Sequence, residues 1–358
     1  MSIVNSDKWG TAFVLSNGVL HKKDSKTSHG LIRGSNRFNI RAVIDSHSAG
    51  KDAGEVVDGI NRGIPVYDNL DDAIEKRGKP DYCIIGVATK GGILPDELLE
   101  VIKNFLVRGI SVVNGLHYYL SDQPELVELA NTHGAGLIDV RRPKAFRDLH
   151  FWSEDIYQVH CPIIAVLGMD CAMGKRTATL LLQEALEKAG LRTEVIYTGQ
   201  TGWMQGIKYG FILDSTLNDF VSGELSHAII TAYKAEKPDL ILLEGQSSLR
   251  NPSGPCGAEY LVSGNAKKVI LIHQPSREHF DYKTTWGRIP SVKNEMELIN
   301  LYGSEVIGLM LNTEGLTDTE SQTYKETYTR SLKIPVVLTM EDGLENFVQS
   351  LLNKINEN

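Results

Sequence analysis

The sequence is short of cysteine, of long apolar runs and of net positive charge, and each shortage closes off a class of function. Its four cysteines, Cys83, Cys161, Cys171 and Cys256, lie far apart and form no C-x-x-C pair. That spacing suggests neither a zinc knuckle nor a disulfide framework. No window comes near the roughly 18 consecutive apolar residues a membrane span needs. The opening residues Met1 to Lys8 lack the basic and apolar regions of a secretory signal. A cytoplasmic protein with no membrane partner is therefore expected. Lys+Arg total 37 against Asp+Glu 45, a formal net charge of -8, so the surface opposes the phosphate neutralisation that dominates nucleic-acid binding. A nucleic-acid partner is not expected. With 42% hydrophobic and 23% charged residues in 358, the chain reads as folded rather than disordered, and its length fits two domains.

Along both halves, apolar strand-like runs alternate with segments of helical spacing, the order of an open, mostly parallel sheet. In the first half, Arg41–Asp45, Pro65–Tyr67, Tyr82–Val87 and Ile110–Asn114 read as strands. Asp68–Lys76, Pro95–Arg108 and Pro124–His133 read as helices between them. In the second, strands at Ile163–Leu167, Arg192–Tyr197, Leu240–Leu243, Lys268–His273 and Val306–Asn312 alternate with helices at Thr177–Ala189, Gly223–Ala235, Lys293–Tyr302 and after Asp342. The expected fold class is α/β, two doubly wound mostly parallel-sheet domains, residues 1–157 and 158–358. Ligands on such sheets bind at the carboxyl ends of strands, which nominates the Thr89–Gly92 and Asn114–His117 loops. Arg141, Arg142, Lys144 and Arg147 either face an anionic ligand in an interdomain cleft or form a solvated basic linker.

The strongest local signal is the run Ile163–Thr177, in which an apolar strand enters the loop Gly168-Met169-Asp170-Cys171-Ala172-Met173-Gly174 and Lys175 opens a helix. Gly174 lets backbone wrap an anion, amides at a helix start point at it, and Lys175 adds a point charge. Two features depart from the usual Walker A loop. Five residues, not four, separate Gly168 from Gly174, a spacing also found in dethiobiotin-synthetase-like enzymes. Arg176 stands where a Ser or Thr hydroxyl normally reaches Mg²⁺, and Thr177 comes one place late. A loop that grips phosphate without cleaving ATP suits a ligand that uses phosphate as a handle, and coenzyme A is such a molecule. Gly168, Cys171, Gly174, Lys175, Arg176 and Thr177 are the candidate binding residues, with no metal. Cys171 reads either as a thiol with chemistry or as a small residue in a tight turn; Cys83 lies in an apolar strand and reads as core.

Three further strand ends carry polar groups. Thr198, Gln200 and Thr201 follow one strand and can bind polar ligand groups or form an ordinary glycine turn. Glu244 closes an apolar strand where Walker B acids lie; it either accepts a proton from an attacking amine or braces Lys175. Arg277, in His273–Phe280, is a candidate clamp for a substrate carboxylate, while His273 and His279 read as structural histidines for want of a third metal ligand. Asp214 and Asp219 either border the site or begin the next helix.

Taken in order, Lys26-Thr27 before Gly30–Arg33, Ala42–Asp45, Ile84–Ala88, Asn114–His117, Asp139–Pro143, Gly168–Thr177, Thr198–Gly202, Asn218–Glu224, Glu244–Gln246 and Gln274–Arg277 resemble the D-glutamate N-acetyltransferase family, once catalogued as a domain of unknown function. The resemblance spans nearly the whole chain. It implies a Rossmann-like N-terminal domain, a P-loop NTPase-like C-terminal domain, and transfer of acetyl from acetyl-CoA to the amino group of D-glutamate or a similar amino acid in a catabolic route. Under it Glu244, with Asp170 second, acts as base, Gln200 or backbone amides hold the oxyanion, and Arg277 with Arg141 or Arg142 binds the two carboxylates. Met169 and the Tyr118-Tyr119 pair depart from the family pattern and bear on the substrate. The rival expectations are an ATP- and Mg²⁺-dependent ligase or kinase resembling dethiobiotin synthetase, and a nucleotide-sensing module without turnover. An NAD enzyme is discounted because no G-x-G-x-x-G follows the first strand. A symmetric homo-oligomer is expected on base rates.

Overall fold

Parallel strands buried on both faces read as continuous apolar runs rather than alternating ones, and this is how the core strands of the chain are written. The computed structural model describes residues 8–22, 25–89 and 94–356. Lys90–Gly92, the end of one loop nominated above, and Met1–Asp7 lie outside the described residues. The chain divides into two compact units, residues 1–143 with 200–207, and residues 144–199 with 208–358.

The first unit runs β1 (Gly10–Leu15), α1 (Lys26–Arg33), β2 (Phe38–Ile44), α2 (Ala53–Asp58), β3 (Val66–Tyr67), α3 (Leu70–Arg77), β4 (Tyr82–Ile85), α4 (Asp96–Val107), β5 (Ser111–Asn114), α5 (Pro124–His133) and β6 (Leu137–Asp139). Its six strands lie in the order β3-β2-β1-β4-β5-β6, all parallel. The local chemistry of the helices is conventional. Asn69 caps α3 by accepting from the Asp72 amide at 2.9 Å, with Asp71 and Asp72 at the positive end of the dipole. On α4, Leu98, Ile102, Phe105 and Leu106 form the buried stripe.

The second unit runs β7 (Ile163–Gly168), α6 (Lys175–Lys188), β8 (Thr193–Tyr197), then, after an excursion through α7 (Gln200–Gln205), β9 (Tyr209–Gly210), α8 (Asn218–Glu236), β10 (Leu240–Glu244), α9 (Ala258–Leu261), β11 (Lys268–His273), α10 (Val292–Leu301), β12 (Glu305–Leu311), α11 (Asp318–Leu332), β13 (Val336–Leu338) and α12 (Glu345–Asn356). Its seven strands lie in the order β13-β12-β11-β7-β10-β8-β9, again parallel. Every residue of β7 and β10 is buried. Two doubly wound parallel sheets are thus what the sequence pattern led one to expect. Among the described residues no helix is long and apolar enough to cross a membrane.

The excursion through α7 was not legible in the sequence. Residues 200–207 leave the second unit's chain to pack in the first. Met204 is wholly buried there among Val14, Leu31, Phe38, Ile84 and Val113. The Arg37 guanidinium lies over the Trp203 ring at 4.2 Å while its Nε donates to the Trp203 carbonyl at 2.7 Å. Gln205 Nε2 donates to the Gly30 carbonyl at 2.8 Å. The run Thr198–Gly202, which reads as one loop, is therefore split: Thr198 and Gly199 stay with the second sheet, and Gln200 and Thr201 belong to the first unit.

Candidate functional site

Sheet order decides which loops meet. Because β7 lies between β11 and β10, with β8 next, the loops after these four strands emerge side by side at one edge of the second unit. The loop after β7 is turned by two left-handed residues, Ala172 at φ 49° and Gly174 at φ 96°. The latter is a conformation that costs a glycine little. Gly174 is also the N-cap of α6, and no side chain caps that helix start. A fourteen-residue helix thereby presents its positive dipole end at the loop.

Lys175 is buried and reaches across the loop mouth, its ammonium donating to the carbonyls of Asp170 and Ser247, each at 2.7 Å. It thus ties the β7 loop to the β10 loop. Ser247 itself sits at φ 37°, and its hydroxyl lies 3.2 Å from Cys171 Sγ. Asn251 completes this wall: its Nδ2 donates to Asp170 Oδ1 at 2.6 Å and approaches Cys171 Sγ at 3.5 Å. Asn312 Nδ2 holds the Met173 carbonyl at 3.1 Å.

Asp170 and Arg277 form a buried ion pair, 3.0 Å between Oδ2 and a guanidinium nitrogen. Asp170 also accepts from the Asp281 amide at 2.7 Å, so both its oxygens are engaged. Arg277 donates in addition to the carbonyl of Cys171 at 2.6 Å and of Ala172 at 3.3 Å, and its guanidinium lies over the Tyr282 ring at 4.2 Å. Both oxygens of Asp170 and both terminal nitrogens of Arg277 are engaged inside the wall, so the pair holds the loop's shape, while the buried Arg277 Nε has no hydrogen-bond partner. Breaking a buried pair of this kind leaves an uncompensated charge.

Glu244 ends β10 and is only 3% exposed. Its carboxyl is reached by the Thr198 amide at a long 3.4 Å, while the Thr198 hydroxyl donates to the Glu244 carbonyl at 2.6 Å. Burial pushes the Glu244 pKa above the ordinary carboxylate value, against the opposing pull of the Arg176 and Lys175 charges and the Thr198 amide. A poorly solvated carboxyl of this kind holds its proton to a higher pH than an ordinary carboxylate.

The remaining expectations fall in two places. Arg141 Nε donates to the Gly115 carbonyl at 2.6 Å, the side chain of Gln200 packs against the Cβ-less face of Gly115, and Thr201 Oγ1 lies 3.0 Å from Thr27 Oγ1. These residues form a separate group in the first unit. Arg142 pairs with Asp122 and lies over the Tyr119 ring at 4.8 Å. In the second unit, His273 is buried against the Tyr328 hydroxyl at 3.1 Å, and desolvation lowers its pKa to about 4, the structural histidine anticipated above. Asp219 lies in the first turn of α8, as one of its two readings held. Among the described residues no three His, Cys, Asp or Glu side chains could hold a metal ion. Ser247, Asn251 and Asn312 were missed, since turn-type residues far apart in sequence carry no mark of the wall they build.

Comparison with known proteins agrees with this architecture. A P-loop domain described as a domain of unknown function, DUF1611, matches residues 150–348, and the Rossmann-like DUF1611_N domain matches residues 46–143. A crystal structure of a DUF1611 family protein from Anabaena variabilis shares 27% identity with a TM-score of 0.88, over 96% of this chain and 99% of that one. Two curated relatives are named D-glutamate N-acetyltransferase. One, from Pseudoalteromonas sp, is 26% identical over 276 residues, 75% of this chain and 80% of the relative. The other, from Tritonibacter scottomollicae, is 28% identical over 275 residues, with the same coverage. With a P-loop domain matched over more than half its length, a Rossmann-like domain before it and two parallel α/β sheets, the chain belongs to the DUF1611 family.

Proposed function

We propose that the protein is an N-acetyltransferase that moves acetyl from acetyl-CoA to the amino group of D-glutamate or a similar amino acid, in amino-acid catabolism. The names of two relatives at modest identity support the acetyltransferase class. The observation that carries the reading is the pairing of an anion-gripping loop with a buried carboxyl of raised pKa on the neighbouring strand. Lys175, Arg176 and the start of α6 would hold phosphate groups of coenzyme A as a handle, leaving the thioester for the acceptor.

Chemistry then proceeds by direct aminolysis. Glu244 takes a proton from the substrate ammonium, and the freed amine attacks the thioester carbonyl. The C–N bond forms and the C–S bond breaks; the nitrogen loses its second proton to solvent as the tetrahedral intermediate collapses, and Glu244 returns the first to the departing sulfur, so coenzyme A leaves as a thiol with one proton released overall. Backbone amides of the loop supply donors for the oxyanion.

Position also favours a second reading, in which Glu244 stands where a Walker B acid lies and the protein is an ATP- and Mg²⁺-dependent ligase or kinase. Assay of thiol release from acetyl-CoA in EDTA, with D- and L-glutamate as acceptors, separates the two. Acetyl transfer predicts thiol release without metal. Phosphate release from ATP that requires Mg²⁺, with no thiol, would replace it with the second reading.

A further inference from the structure

In the run Glu244-Gly245-Gln246 that closes β10, Glu244 has a part in the site and Gln246 has been given none. Two contacts set them against the same neighbour. The Thr198 amide reaches the Glu244 carboxyl at 3.4 Å, and the next residue, Gly199, lies so close to Gln246 Nε2 that a Cβ there would sit 2.7 Å from it. Two consecutive residues at the end of β8 thus face two side chains from the end of β10.

The backbone that carries Gln246 is pinned on both sides. Before it, the Gly245 amide donates to the Val166 carbonyl at 3.1 Å, and a Cβ on Gly245 would lie 2.3 Å from that oxygen. After it, Ser247 stands at φ 37°, a left-handed conformation that persists in a serine only where the surroundings enforce it. Lys175 does so by donating to the Ser247 carbonyl at 2.7 Å. The polar side chains that follow are engaged within the protein. Ser247 Oγ lies 3.2 Å from Cys171 Sγ, Ser248 Oγ accepts from the Asn251 amide at 3.1 Å, Arg250 Nε donates to Glu295 at 2.8 Å, and Asn251 Nδ2 donates to Asp170 at 2.6 Å. Gln246 is the exception: partly exposed, its carboxamide makes no hydrogen bond among the described residues. A fixed amide donor beside the base is left for a ligand.

We propose that Gln246 binds the α-carboxylate of the acceptor and so sets the acceptor's amino group before Glu244. The inference rests on the acetyl-transfer reading and adds to it the residue that orients the acceptor. In an α-amino acid the nitrogen and the carboxylate hang from one carbon, so a group that receives the amine needs a carboxylate donor close beside it. On the end of β8 the contacts of Glu244 and Gln246 are one residue apart. A neutral donor suits the place. A second carboxylate would repel the ligand, and a cation would pair with Glu244 and weaken its hold on a proton. A hydrogen bond to a charged acceptor is about twice as strong as a neutral one, so the acceptors favoured are amino acids whose α-carboxylate is free.

Steady-state thiol release from acetyl-CoA, with the faster of D- and L-glutamate as acceptor, tests the proposal. Gln246→Ala raises KM for the acceptor at least about tenfold, the effect of losing one hydrogen bond to a charged group. KM for acetyl-CoA and the midpoint of the acid limb stay where they were. Gln246→Glu keeps the shape of the side chain and adds a negative charge, and it lowers kcat/KM for the acceptor at least about tenfold beyond Gln246→Ala. The inference is overturned by an unchanged acceptor KM in Gln246→Ala, or by a Gln246→Glu no worse than Gln246→Ala. An equal rise in KM for acetyl-CoA, the mark of a merely deformed loop, would also overturn it. No thiol release from the unaltered chain with either acceptor removes the acetyl-transfer reading and this inference together, whereas release that ignores Gln246 removes the inference alone.

Discussion

At the carboxyl ends of its strands the first unit pairs hydroxyl with hydroxyl and amide with carboxylate. Ser16 meets Ser28 at 2.7 Å, Thr27 meets Thr201 at 3.0 Å, and Asn114 donates to Asp139 at 2.7 Å. The second unit, built on the same parallel winding, places Lys175, Arg176, Arg277, Asp170 and Glu244 at or beside that edge. Topology supplies an edge where ligands can bind in both, but in the first the carboxylates Asp45 and Asp139 are taken up by backbone amides of the surrounding loops, whereas the second adds Lys175 and Arg176 at the start of α6, where no side chain caps the helix. The comparison teaches that winding offers a place and side chains decide its chemistry: cations at a helix start in one unit, carboxylates and hydroxyls taken up in local hydrogen bonds in the other.

The sharpest way to break the comparison is at Glu244. Glu244→Gln should lower kcat for acetyl transfer by about 100- to 10,000-fold, the range for losing a general base, in a steady-state thiol-release assay with little change in KM for acetyl-CoA. Lys175→Ala should come next, reducing kcat/KM for acetyl-CoA by roughly 100-fold through loss of a charge-assisted anion contact, while activity with a phosphate-free pantetheine thioester, already low, changes much less.

Three further expectations concern stability. Arg277→Ala strands the buried Asp170 carboxylate and should cost about 3–5 kcal/mol. For a unit of this size that lowers Tm on the order of 10 °C in differential scanning fluorimetry. Glu244 acts in the opposite sense. Its folded pKa is raised, so its favourable contribution is present below the unfolded pKa and is lost as pH rises through the folded one. Tm should therefore fall less between acid and neutral pH in Glu244→Gln than in the unaltered chain, and the acid limb of the kcat/KM profile, set above the ordinary carboxylate range, should vanish. Smallest is Thr27→Ala in the first unit, about 1 kcal/mol in chemical denaturation. A large loss of turnover from it would show that the first unit's strand ends do more than hold α7.

Much of this was legible because strong local rules agreed. The apolar run Ile163–Gly168 followed by Gly174-Lys175 and a periodic helix can be read from sequence, since a strand, a turn and a helix start must each be written in neighbouring residues. Glu244 was legible for the same reason, as the polar end of a continuous apolar strand. Helix α11 was not: of its fifteen residues only Ser321 is buried, so no apolar stripe exists to count, and its mark is the Thr317–Glu320 capping box. Neither was α7, whose Gly202 weakens helical propensity and whose stability comes from Trp203 and Met204 packed in a distant part of the chain. Charge pairing was equally hidden. Asp170 and Arg277 are 107 positions apart, and nothing in either neighbourhood says that they neutralise each other.

The central claim is that the loop after β7 anchors an anion without breaking it. Calorimetric titration of acetyl-CoA and of ATP in EDTA and then in Mg²⁺, on the unaltered chain and Lys175→Ala, with product analysis of each mixture, tests this most directly. The account predicts metal-independent binding of acetyl-CoA that weakens markedly in Lys175→Ala, with no nucleotide cleaved. Binding of ATP that needs Mg²⁺, followed by phosphate release lost in Lys175→Ala, would contradict it.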